Sequence, residues 1–127
     1  MTETEKITIN ISPVDLGKID LLVEQGFYSN RTDFIRAAIR RQLDSHEEAV
    51  EQTARTHSFA VGVVVLDRKE LEARAEGGRL TIRVIGTLII ADDVSPELAR
   101  KAIDHVKIHG VLRASPEVRE ALEGRID

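Results

Sequence analysis

Apolar and polar residues alternate without interruption from Lys6 to Ile11. Ile7, Ile9 and Ile11 share one side of an extended chain, and Lys6, Thr8 and Asn10 share the other. That is the pattern of a half-buried strand. The period then changes to a helical one. Ser12 can cap a helix, Pro13 suits its first position, and Asp15 sits where a capping-box acid would lie. Leu16, Ile19, Leu22 and Val23 follow helical spacing, Gly17 weakens the helix without stopping it, and Gly26 supplies the left-handed residue that commonly ends one. After Phe27 and Tyr28, Ser29 or Asn30 can cap a second helix, with Asp33 placed as its box acid. Phe34, Ile35, Ala38, Ile39 and Leu43 make the apolar stripe of that helix and leave Arg31, Arg36, Arg40 and Arg41 mostly toward solvent. One strand and two short helices bury too little to stand alone. An intertwined dimer is expected.

Residues 47–56 are polar and acidic, with no glycine or proline, which predicts a helical connector rather than a flexible linker. Beyond it the organisation changes again. Gly62, Gly86 and Gly110 recur every 24 residues, each within an alternating apolar strand: SFAVGVVVL, IRVIGTLII and VKIHGVLRA. Aligned on the glycines, one face holds Ser58, Ile82 and Val106, then Ala60, Val84 and Ile108, then Val64, Leu88 and Leu112. The other face is mixed. Each strand leads to a helix start, at Asp67 with Glu70, at Ser95-Pro96 and at Ser115-Pro116. A strand, loop and short helix repeated three times predicts parallel strands with right-handed crossovers, in a small solenoid-like α/β region. The glycines are expected to admit a helix or a neighbouring backbone at close range. The middle unit carries a longer loop, ADDVSP, where a site or contact could lie. The expected architecture is therefore α+β, with units at 1–46, 47–56 and 57–127.

Composition narrows the function classes. With no cysteine there is no disulfide framework and no thiolate metal site, which is compatible with a cytoplasmic protein. No apolar run approaches eighteen residues and no charged-then-apolar leader appears, so neither a membrane span nor a signal peptide is indicated. Residues 1–46 hold six Lys/Arg and seven Asp/Glu, a sum of −1, and the whole chain carries −4. Neither is a basic footprint, so any binding to a polyanion must come from local placement and should be steeply salt-dependent.

The strand KITINI, the helix SPVDLGKIDLLVEQG with its terminal glycine, and the helix YSNRTDFIRAAIRRQL together resemble the ribbon-helix-helix superfamily, the group of the CopG, Arc and MetJ repressors. The resemblance covers the N-terminal third. It implies that two chains pair their strands antiparallel into a ribbon that enters the major groove of double-stranded DNA. The residues that would touch base edges are Lys6, Thr8 and Asn10. Those that would meet the DNA backbone at the start of the second helix are Ser29, Asn30 and Arg31. The chemistry agrees: lysine suits guanine acceptors, asparagine the adenine edge, and threonine either a base edge or a thymine methyl. The unpaired N–H groups and positive end of a helix start favour phosphate.

Catalysis is not expected, because no nucleophile-base arrangement or phosphate-cradling loop appears, and Asp92-Asp93 reads as a solvated turn. Nor is a cofactor or metal: His105 and His109 share a strand face with Lys107 between them, while His46 and His57 lie in or beside the connector. The expected protein is a homodimeric DNA-binding transcriptional regulator, read as a repressor, whose C-terminal region senses an effector or builds a higher oligomer. The alternative is an antitoxin-like or assembly protein whose C-terminal region binds a protein partner.

Overall fold

The computed structural model describes residues 4–127, so the first three residues of the expected 1–46 unit lie outside the described residues. The architecture is α+β, with six helices and one three-stranded parallel sheet among the described residues. Two compact units divide between Glu48 and Ala49.

In the first unit, residues 4–12 carry no strand pairing and lead into α1 (Pro13–Glu24) and α2 (Arg31–Asp44). The strand expected at Lys6 to Ile11 is absent from the single chain for a physical reason. A ribbon needs a second strand, and the described residues of this unit contain none. Ile7, Ile9 and Ile11 are accordingly 71%, 60% and 42% exposed. The helix boundaries follow local chemistry. Ser12 caps α1 by accepting from the Asp15 N–H at 3.1 Å, with Pro13 in the first turn. At the other end Gly26 takes φ +85°, the Gly26 N–H donates to the Val23 carbonyl, and the Phe27 N–H donates to the Leu22 carbonyl. This paired arrangement satisfies two carbonyls that the helix itself leaves open.

The helix α3 (Glu47–Thr56) is followed by a tight exit in which the Phe59 N–H donates to the Ala54 carbonyl. The second unit then runs β1 (Ala60–Leu66), α4 (Arg68–Glu76), β2 (Leu80–Ile90), α5 (Pro96–Ala102), β3 (Ile103–Arg113) and α6 (Pro116–Ala121). Strand order is β1-β2-β3, and the register sets Gly62 beside Gly86 and Gly86 beside Gly110. The 24-residue sequence period is the offset between neighbouring strands. It slips once, between Leu80 and Thr81, where Leu80 faces Ile103 but Thr81 faces His105. Asp67, Ser95 and Ser115 each cap the following helix by accepting from the N–H of its third residue.

Even-numbered strand residues face the helices in β1, in β2 and in β3 from Val106 onward, while ahead of the slip the buried residue of β3 is Ile103 and Asp104 is exposed. Ile82, Val84, Leu88, Ile90 and Val106 are buried on the helix side with Leu71 of α4, Ala99 and Ala102 of α5, and Val118 of α6, closed off by Leu122 just beyond it. The three glycines lie in this phase but their φ angles are +122°, +136° and +132°. A Cβ on Gly86 would fall on the Gly62 carbonyl, and one on Gly110 on the Gly86 carbonyl. What approaches closely is the neighbouring strand rather than a helix. Odd-numbered residues face the other way. Val61, Val63 and Val65 there are 68%, 65% and 52% exposed.

Candidate nucleic-acid interface

Lys6, Thr8 and Asn10 are exposed and follow one another at every second position, with the isoleucines between them. Ser29 and Asn30 form the start of α2. The Asn30 side chain accepts from the Asp33 N–H at 2.8 Å, and the Asp33 carboxylate accepts from the Ser29 N–H at 3.0 Å. This is a reciprocal capping box, with the return bond landing one residue earlier than its usual position. Tyr28 supports the same corner by standing edge-on against Phe34, ring centres 4.9 Å apart.

Arg31 is held in a way its sequence position does not announce. Its guanidinium grips Asp20 of α1 through two bonds, Nε to Oδ1 at 2.7 Å and Nη2 to Oδ2 at 2.8 Å. Those hydrogen bonds, helped by charge attraction, hold the Asp20 carboxyl below its ordinary range and raise Arg31 above its own. The pair pins α1 to the start of α2. Asp20 is the residue that sequence reasoning missed: the two are eleven positions apart on different helices, where no spacing rule applies.

The rest of α2 is bare. It has no buried residue, and Ile39 and Leu43 sit exposed in a shallow depression edged by Arg36, Arg40 and Asp44. Two apolar surfaces of this unit, the isoleucine side of residues 7–11 and the Ile39–Leu43 end of the α2 stripe, are therefore left exposed among the described residues of one chain.

In the second unit a shallow depression is lined by His57, Phe59, Arg83, His105, Lys107, His109 and Asp127, among others. His105 is hydrogen-bonded to Asp127 at 2.8 Å, and His109 lies against the Phe59 ring. Among the described residues no group of three His, Cys, Asp or Glu is placed to hold a metal ion. The longer ADDVSP loop is a brace. Asp93 accepts from the Arg68 N–H at the start of α4, the Ala91 N–H donates to Leu66, and Val94 is buried. No helix among the described residues is long and apolar enough to cross a membrane.

Comparison with known proteins places the chain in a family. Residues 2–119 fit the model of the ribbon-helix-helix transcriptional regulator family, so the match extends well beyond the N-terminal third that carries the sequence resemblance. A curated relative, transcriptional regulator CdrS of Halobacterium salinarum, is 32% identical over 44 residues, which cover 35% of this chain and 80% of that protein. No solved structure matches the chain. With most of its length inside the family model and its two N-terminal helices capped at Ser12 and Asn30, the chain belongs to the ribbon-helix-helix transcriptional regulator family.

Proposed function

We propose that this protein is a homodimeric, sequence-specific DNA-binding regulator that acts as a repressor. Residues 4–12 of two chains would pair into an antiparallel ribbon whose outward side chains enter the major groove. The observation that carries this reading is the incompleteness of the N-terminal unit. Three isoleucines on one side of an unpaired segment, and the open stripe of α2, lack a core that a second copy would supply. Pairing the isoleucines inward turns Lys6, Thr8 and Asn10 outward, because successive residues of a strand point to opposite faces. Those three would read bases, while the Ser29, Asn30 and Arg31 corner would rest on the phosphate backbone. Such a protein works where the DNA is, in the cytoplasm, and needs no cofactor for this step.

The test is a charge placed at the centre of the buried side. Ile9→Asp should sediment as a monomer and lose binding to DNA fragments, with the circular dichroism of the C-terminal unit retained. A variant that remains dimeric and binds DNA as the parent does would refute the ribbon.

A further inference from the structure

The two edges of the C-terminal sheet are treated differently. Beyond β3 the chain returns alongside: the Val106 N–H donates to the Arg125 carbonyl, the Asp127 N–H donates to the Val106 carbonyl, and Ile126 bridges Val106 in parallel. Arg125 donates to the carbonyls of Arg100 and Ile103, and Arg119 donates to those of Leu112 and Ala114. The returning chain occupies that edge around Val106 and Ile108, and arginine side chains hold the carbonyls of Ile103 and Leu112 nearer its ends. Among the described residues the β1 edge has no such cover. Its sequence, AVGVVVL, includes no charge and no proline, the devices by which proteins usually keep an edge strand from pairing.

Gly62 adds a second observation. Gly86 and Gly110 adopt positive φ where a neighbouring carbonyl occupies the place of a Cβ. Gly62 adopts the same conformation, yet nothing among the described residues lies within 4 Å of the position its Cβ would take. The slot that admits a neighbouring backbone in β2 and β3 is present on β1 and open.

From the bare edge, its uncharged strand and this open slot, we propose that β1 pairs with β1 of a second copy of this chain. Backbone N–H and C=O groups in a row are satisfied by another strand, and the chain end lying along Val106 and Ile108 obstructs a strand at the middle of the β3 edge, which disfavours head-to-tail stacking. What remains is β1 against β1, antiparallel about a two-fold axis, giving one six-stranded sheet with helices on one face. The assembly closes on itself rather than growing into a fibre. Antiparallel pairing keeps Val61, Val63 and Val65 of both copies on one face, where they pack across the junction. The supply of a second copy rests on the ribbon dimer proposed above, which raises the local concentration of one sheet around the other.

The chain contains no cysteine, so a single introduced one is a clean reporter. In the full-length protein, Val63→Cys treated with a short bismaleimide should cross-link nearly completely, and Lys107→Cys on the far strand should not. Hydrogen exchange separates edge pairing from face-to-face packing. Val63→Lys should make amides 60–66 exchange several-fold faster while those of 80–90 and 103–113 keep the parental rates. A protein that sediments as a dimer but leaves Val63→Cys uncrosslinked overturns the edge pairing and leaves the ribbon reading intact. Equal exchange of 60–66 in the parent and Val63→Lys also overturns it. A monomeric parent protein overturns both the edge pairing and the ribbon reading.

Discussion

Asp20 and Arg31 form a two-bond fork between α1 and the first turn of α2, at 2.7 and 2.8 Å, at the corner assigned to the DNA backbone. In the proposed complex the carboxylate would compete with phosphate for the same guanidinium. Asp20→Asn should therefore tighten binding to specific and random DNA by similar factors. It should also steepen the dependence of log K on log salt by about 0.9 for each additional phosphate that the freed guanidinium neutralises. Arg31→Ala should do the reverse, and in that background Asp20→Asn should lose its effect. Salt titrations of the four proteins check this; tighter binding by Asp20→Asn that persists without Arg31 would show that the acid acts on another group.

The same pair gives a pH dependence whose sign is fixed. The folded-state pKa of Asp20 is depressed, so its stabilising effect is present above the ordinary carboxylate range and is lost as pH falls through the lowered value. Acid should loosen the α1–α2 corner below about pH 4, the ordinary aspartate range. Both groups are exposed, so the effect is a modest one. Denaturation of parent and Asp20→Asn from neutral pH downward should converge in acid. A gap that widens there would contradict the assignment.

The glycine row separates close approach from mere conformation. Gly86→Ala and Gly110→Ala meet both a positive φ and a neighbouring carbonyl, whereas Gly62→Ala meets only the positive φ within one chain. Positive φ alone costs about 1–3 kcal/mol. In the Ile9→Asp background, which keeps the chain single, Gly86→Ala and Gly110→Ala should exceed this and unfold the C-terminal unit in less denaturant than Gly62→Ala does. Equal losses at all three positions there would mean that the close strand approach adds nothing.

Much of this fold is legible because local chemistry decides it. Ser12, Asn30, Asp67, Ser95 and Ser115 cap helices where their side chains and spacing predict, and the glycine period foretells the strand register. The α+β class, with a three-stranded parallel sheet, follows from those signals. What sequence reasoning does not reach is non-local. The Asp20–Arg31 fork joins separate helices, and Arg119 and Arg125 bind carbonyls in and around β3 from five to twenty-five positions away. The ADDVSP loop reads as available for a site, but Asp93 is engaged at α4 and Val94 at the core. The strand expected at Lys6 to Ile11 has no pairing segment among the described residues of its unit, and in the proposed reading a second chain supplies one. Sequence resemblance alone also stops at the N-terminal third, because the C-terminal pattern of alternating apolar strands is shared by many α/β regions, whereas the family model reaches residue 119.

The central claim is that Thr8 and Asn10 read bases while the isoleucines between them hold the ribbon together. The direct test begins with the DNA fragments the purified protein retains from a genomic pool, sequenced to give its preferred duplex. Thr8→Ala and Asn10→Ala are then compared with the parent on that duplex and on a scrambled one, at a single salt concentration. Loss of a base contact predicts a decrease of about 1–3 kcal/mol in discrimination, with scrambled-duplex binding and dimerisation unchanged. Discrimination equal to the parent's in both variants would contradict it.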